Sequence, residues 1–140
     1  MDKFLVVIAG PTASGKTATA IKVAKALGTE IISADSRQFY KELPIGTAAP
    51  TPEEQAEVQH YMIHNLNVED KYDVADYEQD VLNLLNQLFV NHDAVVLTGG
   101  SGLFIDAVCK GLDSIPDISE EVRNKVDELY KKGGLIALQN

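Results

Sequence analysis

Apolar and polar positions follow two rhythms along this chain, and each rhythm predicts its own kind of element. Phe4-Leu-Val-Val-Ile-Ala9 is an unbroken apolar run with the β-branched content and length of a buried strand. Ala18 to Leu27 intersperses small and apolar residues with Lys22 and Lys25, as a helix does, and Gly28 supplies its stop. Glu30-Ile-Ile-Ser-Ala34 then reads as a second strand. Strand, helix and strand in such close succession predict a βαβ unit with a right-handed crossover.

Further along, Thr51-Pro52-Glu53-Glu54 carries a helix start, with Thr as N-cap, Pro first and Glu placed for a capping box. This helix is expected to end near His60. Met62-Ile63 has strand character, which would put His60 and His64 on one face; two half-buried histidines are preferred there over a metal pair without a third ligand. Asp76 to Asn91 is an amphipathic helix whose Val81, Leu84, Leu85, Leu88 and Phe89 form a core stripe, with His92 at its end. Ala94-Val-Val-Leu-Thr98 is a third buried strand, opening through Gly99-Gly-Ser-Gly102 into a helix over Leu103, Phe104, Ile105 and Val108. Ser119-Glu120-Glu121 opens the last clear helix, which runs through Val122, Val126 and Leu129 to Gly133-Gly134. Leu135 to Asn140 then starts another apolar segment that nothing closes, so the chain is expected to be part of a longer protein.

Composition narrows the class. The 140 residues allow one domain and one core, with 45% apolar and 24% charged residues as in ordinary globular proteins. No apolar run reaches membrane-spanning length, and the apolar start leads straight into a glycine turn without a small-residue cleavage site, so a secretory signal is not expected. One cysteine, Cys109, rules out an internal disulfide framework and agrees with a reducing cytoplasm; its apolar helical setting predicts a packed thiol. The net charge of −9 is concentrated between residues 41 and 80, which carry ten acids against two bases. An acidic chain of this kind argues against a nucleic-acid partner.

The candidate chemistry lies between the first strand and the first helix. Gly10-Pro11-Thr12-Ala13-Ser14-Gly15-Lys16-Thr17 fits G-x-x-x-x-G-K-[ST], the phosphate-binding P-loop, in the strand–turn–helix context that the motif requires. The glycines let successive amides point inward, and the helix start adds unpaired N–H donors. Lys16 brings a mobile positive charge, and the Thr17 hydroxyl can complete the shell of a phosphate-bound Mg²⁺. Asp35 stands just past the second strand, on the edge where parallel sheets place ligands, and can act as a proton acceptor. The strand that could have carried a Walker-B acid ends instead in Thr98-Gly99-Gly100.

Three function classes are compatible with these parts. A phosphotransferase would bind ATP and use Asp35 to activate an acceptor, a nucleotide or small-molecule kinase. A carbon-group transferase would hold a diphosphate leaving group in the loop, and a nucleotide switch would do no group transfer. An arginine-bearing lid, usual in small kinases, has no counterpart, since Arg37 and Arg123 are the only arginines.

The second of these classes is favoured by a more specific likeness. Gly10-Pro-Thr-Ala-Ser-Gly-Lys-Thr17, Ile32-Ser-Ala-Asp-Ser36, Ile45-Gly-Thr47 and Gly99-Gly-Ser-Gly-Leu103, in this order and spacing, resemble the tRNA dimethylallyltransferases. The likeness runs from about residue 4 to Arg123. It implies an α/β P-loop NTPase-like fold with a mostly parallel sheet flanked by helices. It implies dimethylallyl diphosphate as donor, N6 of an adenosine beside the anticodon of tRNA as acceptor, and Mg²⁺ as cofactor. Gly10 to Thr17 would hold the diphosphate, Lys16 and Asp35 would be catalytic, and Thr17 would meet the metal. The segment Asp35, Ser36, Arg37 and Gln38 would lie against tRNA, with Ser101 and Arg123 as two further contacts.

This sequence departs from the family pattern in several places. Ser101 stands where Thr is usual, and Ala48-Ala49-Pro50 where Ala-Lys-Pro is common. His60-Tyr61-Met62-Ile63-His64 replaces a His-His-Leu-Ile-Asp region and so lacks its acid. Family members also continue well past residue 140 through a helical arm and a basic segment. Residues 1–140 are therefore expected to be a truncated, cytoplasmic, monomeric P-loop catalytic core, inactive alone.

Overall fold

A computed structural model describes residues 2–114 and 116–139. Among the described residues the elements follow in the order β1 (Phe4–Ala9), α1 (Lys16–Leu27), β2 (Ile31–Ser33), α2 (Pro52–Glu57), β3 (His60–Tyr61), α3 (Val74–Leu88), β4 (Ala94–Gly99), α4 (Gly102–Lys110) and α5 (Glu120–Gln139). The strands form one sheet in the order β1-β4-β2-β3, and every pairing is parallel. Phe4 pairs with Ala94 and Ala9 with Gly99, so β1 and β4 run in step along their whole length. Ser33 pairs with Thr98, so β2 ends level with them and its continuation emerges on the same edge.

The sheet buries both faces, because successive side chains alternate across a strand. On one face Ile31 of β2 and Val96 of β4 meet Ala20, Ile21 and Ala24 of α1. On the other, Ile32, Val95 and Leu97 meet Tyr77, Val81, Leu85 and Leu88 of α3. The two faces explain why these strands read as continuous apolar runs rather than as alternating ones. Phe39 and Tyr77 stack with centroids 5.3 Å apart, and Tyr77 meets Phe104 of α4 edge-on at 5.0 Å. The buried Tyr77 hydroxyl donates to the Ser33 carbonyl at 2.8 Å, so α3 anchors the end of β2 beside the site.

Helix ends follow their local signals. Gly28 closes α1 at φ 62°, and Thr51–Glu54 forms the expected capping box. Asp73 caps α3 through a second capping box, so this helix starts slightly before the expected Asp76 and ends at Leu88.

Four expectations require correction. β1 is not a buried strand: it sits at the sheet edge, leaving Phe4 59% exposed and Val7 39% exposed. Cys109 is exposed, because α4 turns Ala107 rather than Cys109 toward the body. α2 stops at Glu57, and the strand character near Met62 belongs to His60–Tyr61, which pair with Ile31 and Ile32 of β2. α5 continues past Gly133 to Gln139 across a non-helical Gly134, and none of its residues is buried; Asn140 lies outside the described residues.

Candidate active site

The carboxyl edges of β1, β2 and β4 converge on one cavity of about 280 Å³. Thr12, Ala13, Ser14, Gly15, Lys16, Thr17 and Ala18 line it from the loop and the start of α1. Ser33, Asp35 and Gln38 line it from the end of β2, and Thr98 and Gly99 from the end of β4. Thr47, Ala48, Pro50, Glu54, His60 and Ile63 complete the wall.

The loop geometry is that of an anion nest. Gly15 is the N-cap of α1 at φ 83° and offers no side-chain cap, so the first amides of the helix are left for a ligand. Ala13 also adopts a left-handed backbone, at φ 62°, which a residue with a Cβ holds at a cost of about 1 kcal/mol or more. Such strain is retained where it aims groups at a ligand. Lys16 Nζ donates to the Pro11 carbonyl at 2.5 Å, and Ser14 Oγ donates to the same oxygen at 2.7 Å. Pro11 thus shapes the loop through its carbonyl, although neither Gly10 nor Pro11 lines the cavity.

Asp35 is placed by short-range bonds. Its Oδ1 accepts the Arg37 N–H at 3.2 Å, and Arg37 Nε lies 4.0 Å from the same oxygen. The carboxylate is 14% exposed while the Arg37 side chain is 64% exposed, so the acid faces inward and the base outward. Gly99 makes the approach possible: a Cβ there would stand 2.3 Å from the Ala34 carbonyl oxygen. The second glycine turn then supports the Asp35 segment directly. Ser101 N–H donates to the Ala34 carbonyl at 3.2 Å, and Ser36 N–H donates to Ser101 Oγ at 3.1 Å. Ser36 and Ser101 are therefore joined to each other, outside the cavity lining; Arg37 and Arg123 do not line the cavity either. Arg123 lies in the first turns of α5, whose residues are unburied.

Ser33, Glu54, His60 and Ile63 also line the cavity, although the motifs that contain them predict no site role for these four. His60 is 7% exposed, and its Nδ1 lies 2.8 Å from the Val58 carbonyl. A carbonyl only accepts, so Nδ1 carries the proton and Nε2 remains an acceptor. Burial holds the imidazole below its usual range, against the upward pull of the Val58 carbonyl and the Glu54 carboxylate. His64 does not line the cavity, and its Nε2 is buried without a hydrogen-bond partner among the described residues. The two histidines thus have separate surroundings instead of sharing one face, because the strand ends at Tyr61, and Met62 and His64 turn to positive φ.

Among the described residues there is no group of three His, Cys, Asp or Glu side chains able to hold a metal. Among the donors that line the cavity, the Thr17 hydroxyl and the Asp35 carboxylate are hard oxygens. They fit a Mg²⁺ that keeps most of its shell from phosphate and water, because that ion is seldom caged by protein alone. At the end of β4, Thr98 Oγ1 donates to the Ile8 carbonyl at 3.1 Å and Gly99 follows, so no carboxylate occupies the Walker-B position.

Comparison with known proteins agrees with this fold. The profile of the IPP transferase family matches residues 38–140. The chain is 50% identical over 131 residues to tRNA dimethylallyltransferase 2 of Parabacteroides distasonis, covering 94% of this chain and 44% of that protein. It is 49% identical over 138 residues to tRNA dimethylallyltransferase 1 of Phocaeicola vulgatus, covering 99% of this chain and 46% of that one. Among solved structures, the full-length tRNA isopentenylpyrophosphate transferase of Bacillus halodurans superposes with a TM-score of 0.78 at 34% identity, over 98% of this chain and 46% of that one. A eukaryotic dimethylallyltransferase crystallised acting on tRNA shares the fold, with a TM-score of 0.74 at 22% identity, over 100% of this chain and 38% of that one. The chain therefore spans less than half the length of the relatives it matches.

Proposed function

The chain belongs to the IPP transferase family, and we propose that its residues 1–140 are the P-loop catalytic core of a tRNA dimethylallyltransferase. The reaction moves a dimethylallyl group from dimethylallyl diphosphate to N6 of an adenosine beside the anticodon. One observation carries this reading: Asp35 and the loop from Thr12 to Thr17 line a single cavity, while the position after β4 holds no carboxylate.

A diphosphate leaving group needs donors where its charge grows. The amides of the nest and Lys16 supply them as the allylic carbon–oxygen bond breaks. No γ-phosphate is attacked, so no acid is required at Thr98 or Gly99 to order a water. The N6 lone pair forms the new carbon–nitrogen bond, and its surplus proton passes to the Asp35 carboxylate. An exocyclic amine is a poor nucleophile, and loss of that proton during attack is what makes the transfer feasible. A Mg²⁺ held by the diphosphate and the Thr17 hydroxyl would add charge neutralisation to the leaving group. The target base must leave its stack to enter such a cavity, and extrusion is the usual route for enzymes that modify a base.

The relatives' additional length supplies the rest of the tRNA surface in this reading. Ser36, Arg37, Ser101 and Arg123 lie outside the cavity lining and would meet the polynucleotide around the extruded base. The acidic balance of residues 41–80 fits a core that leaves most of the tRNA contact to other segments. The enzyme would act as a cytoplasmic monomer, and this chain alone would bind donor without modifying RNA.

Calorimetric titration with dimethylallyl diphosphate and with ATP, each with Mg²⁺, tests the reading. The allylic diphosphate should bind, and Lys16→Ala should weaken it by about tenfold or more through loss of a charge-assisted contact. In a chain extended by the remainder found in its relatives, Asp35→Ala should keep donor binding and lose turnover. Tight ATP binding with phosphorylation of an acceptor, and no response to the allylic diphosphate, would replace this reading with a kinase.

A further inference from the structure

We propose that Gln38 is a positioning residue that holds the Thr47–Ala48 wall of the cavity in place to receive the donor's carbon chain. The proposal rests on the allylic-diphosphate reading above. It assigns to Gln38 a task other than the RNA contact that family resemblance implies for residues 35–38.

A glutamine amide has one acceptor oxygen and two N–H donors. Here Oε1 accepts Ser33 Oγ–H at 3.0 Å, while Nε2 donates to the Thr47 and Ala48 carbonyls, each at 3.2 Å. Both donors are thus committed within the chain, and a base edge or phosphate could recruit them only by breaking these bonds. The backbone of Gln38 is used as well: its N–H donates to the Asp35 carbonyl at 3.0 Å, and its carbonyl accepts His64 N–H at 2.9 Å. One residue therefore joins the end of β2, the turn bearing Asp35, the loop over Thr47 and Ala48, and the segment after β3.

The loop needs such a fastening. The parallel bridge of Tyr40 with Leu66 and the Lys41 N–H bond to the Leu66 carbonyl fix the chain up to residue 41, but residues 42–51 contain no helix or strand. Ala48 holds a left-handed backbone at φ 50°, a conformation that relaxes unless its surroundings impose it. Thr47 is tied only locally on its own side, with Oγ1 donating to the Leu43 carbonyl at 2.7 Å. Across the cavity, the Gln38 amide provides the link from this loop to the sheet.

What the wall offers is carbon. Ala48, Pro50 and Ile63 line the cavity together with the phosphate nest. The diphosphate is satisfied by the loop amides and Lys16, so the wall matters only to a donor that carries an apolar group. Gln38 should accordingly control the preference for an allylic diphosphate over inorganic pyrophosphate, and leave binding of the pyrophosphate itself alone.

The test is a calorimetric titration of this chain with inorganic pyrophosphate and with dimethylallyl diphosphate, both with Mg²⁺. The variants are Gln38→Met, which removes both donors without adding charge beside an anion, and Ser33→Ala, which removes the bond to Oε1. Gln38→Met should weaken the allylic ligand by about tenfold and change pyrophosphate affinity by less than about twofold; Ser33→Ala should show the same selectivity at about threefold. Equal weakening of both ligands, or no weakening of either, would overturn the proposal. If the unaltered chain bound pyrophosphate and dimethylallyl diphosphate alike, the donor reading itself would fall and this inference with it. Should Gln38→Met not fold by circular dichroism, Ser33→Ala carries the decision by the same criterion.

Discussion

Replacing Gly99 by alanine should be the most damaging single-methyl change near the site. Its added Cβ would lie 2.3 Å from the Ala34 carbonyl oxygen, 2.4 Å from the Ala34 carbonyl carbon and 2.9 Å from its Cα. These are backbone atoms of a fully buried residue, so no flexible side chain can move aside. Ordinary contact begins near 3.4 Å, and the two segments must part by about 1 Å. Two hydrogen bonds cross this seam, Ala34 N–H to the Thr98 carbonyl at 2.7 Å and Ser101 N–H to the Ala34 carbonyl at 3.2 Å. Overpacking of this kind costs about 1–3 kcal/mol, and each weakened bond about 1 kcal/mol more. A loss of about 3–5 kcal/mol follows, or roughly 10–15 °C in Tm for a chain of this size. Urea titration followed by far-ultraviolet circular dichroism measures it. Gly102→Ala is the internal control: it lies in the same turn, at the start of α4, with nothing within 4 Å of its Cβ. That change should be neutral or stabilising by up to about 1 kcal/mol. If Gly99→Ala lost less than about 1 kcal/mol, or if the two variants behaved alike, the steric account of the second glycine turn would be wrong.

Two further outcomes follow from named contacts. Tyr77→Phe keeps the stack on Phe39 but leaves the Ser33 carbonyl without its 2.8 Å donor, which should lower stability by about 1–2 kcal/mol in the same titration; an unchanged midpoint would remove the bond from the account of how β2 is anchored. His60 is held below the 6.5 of a free imidazole by burial, so the unfolded chain takes up the proton first as pH falls. The stability that His60 contributes should therefore be complete above 6.5 and decline as pH drops below it, by at most about 1.4 kcal/mol per pH unit. His60→Gln should flatten that part of the profile, and an identical slope in the variant would exclude His60 as its source.

The candidate site was legible where its chemistry is local. A P-loop is a run of eight residues whose backbone turn, helix start and lysine are all set by neighbours in sequence. Asp35 could be placed because a strand end followed by an acid is also a short-range pattern. Ser33, Glu54 and Ile63 could not be anticipated in the same way. They reach the cavity only because β2, α2 and the segment after β3 are brought to one edge, and no residue type among them signals a site by itself. His60 stood in a region of family likeness, yet its fixed tautomer depends on a carbonyl that becomes available where α2 ends at Glu57.

The sequence by itself determined most of the strands and helices, the Thr51–Glu54 capping box and the Gly28 stop, and that a glycine-rich turn joins the first strand to the first helix. Those outcomes depend on interactions a few residues apart, which the chain writes consecutively. Tertiary structure alone decided the order β1-β4-β2-β3, the edge position that exposes Phe4 and Val7, and the outward face of Cys109. It alone decided that Gly99 is spared a side chain for the sake of Ala34, and that Gln38 spends its amide on Thr47 and Ala48. Each of these is a choice among partners far apart in the chain, made by packing all the apolar faces at once, and no local pattern encodes which partner wins.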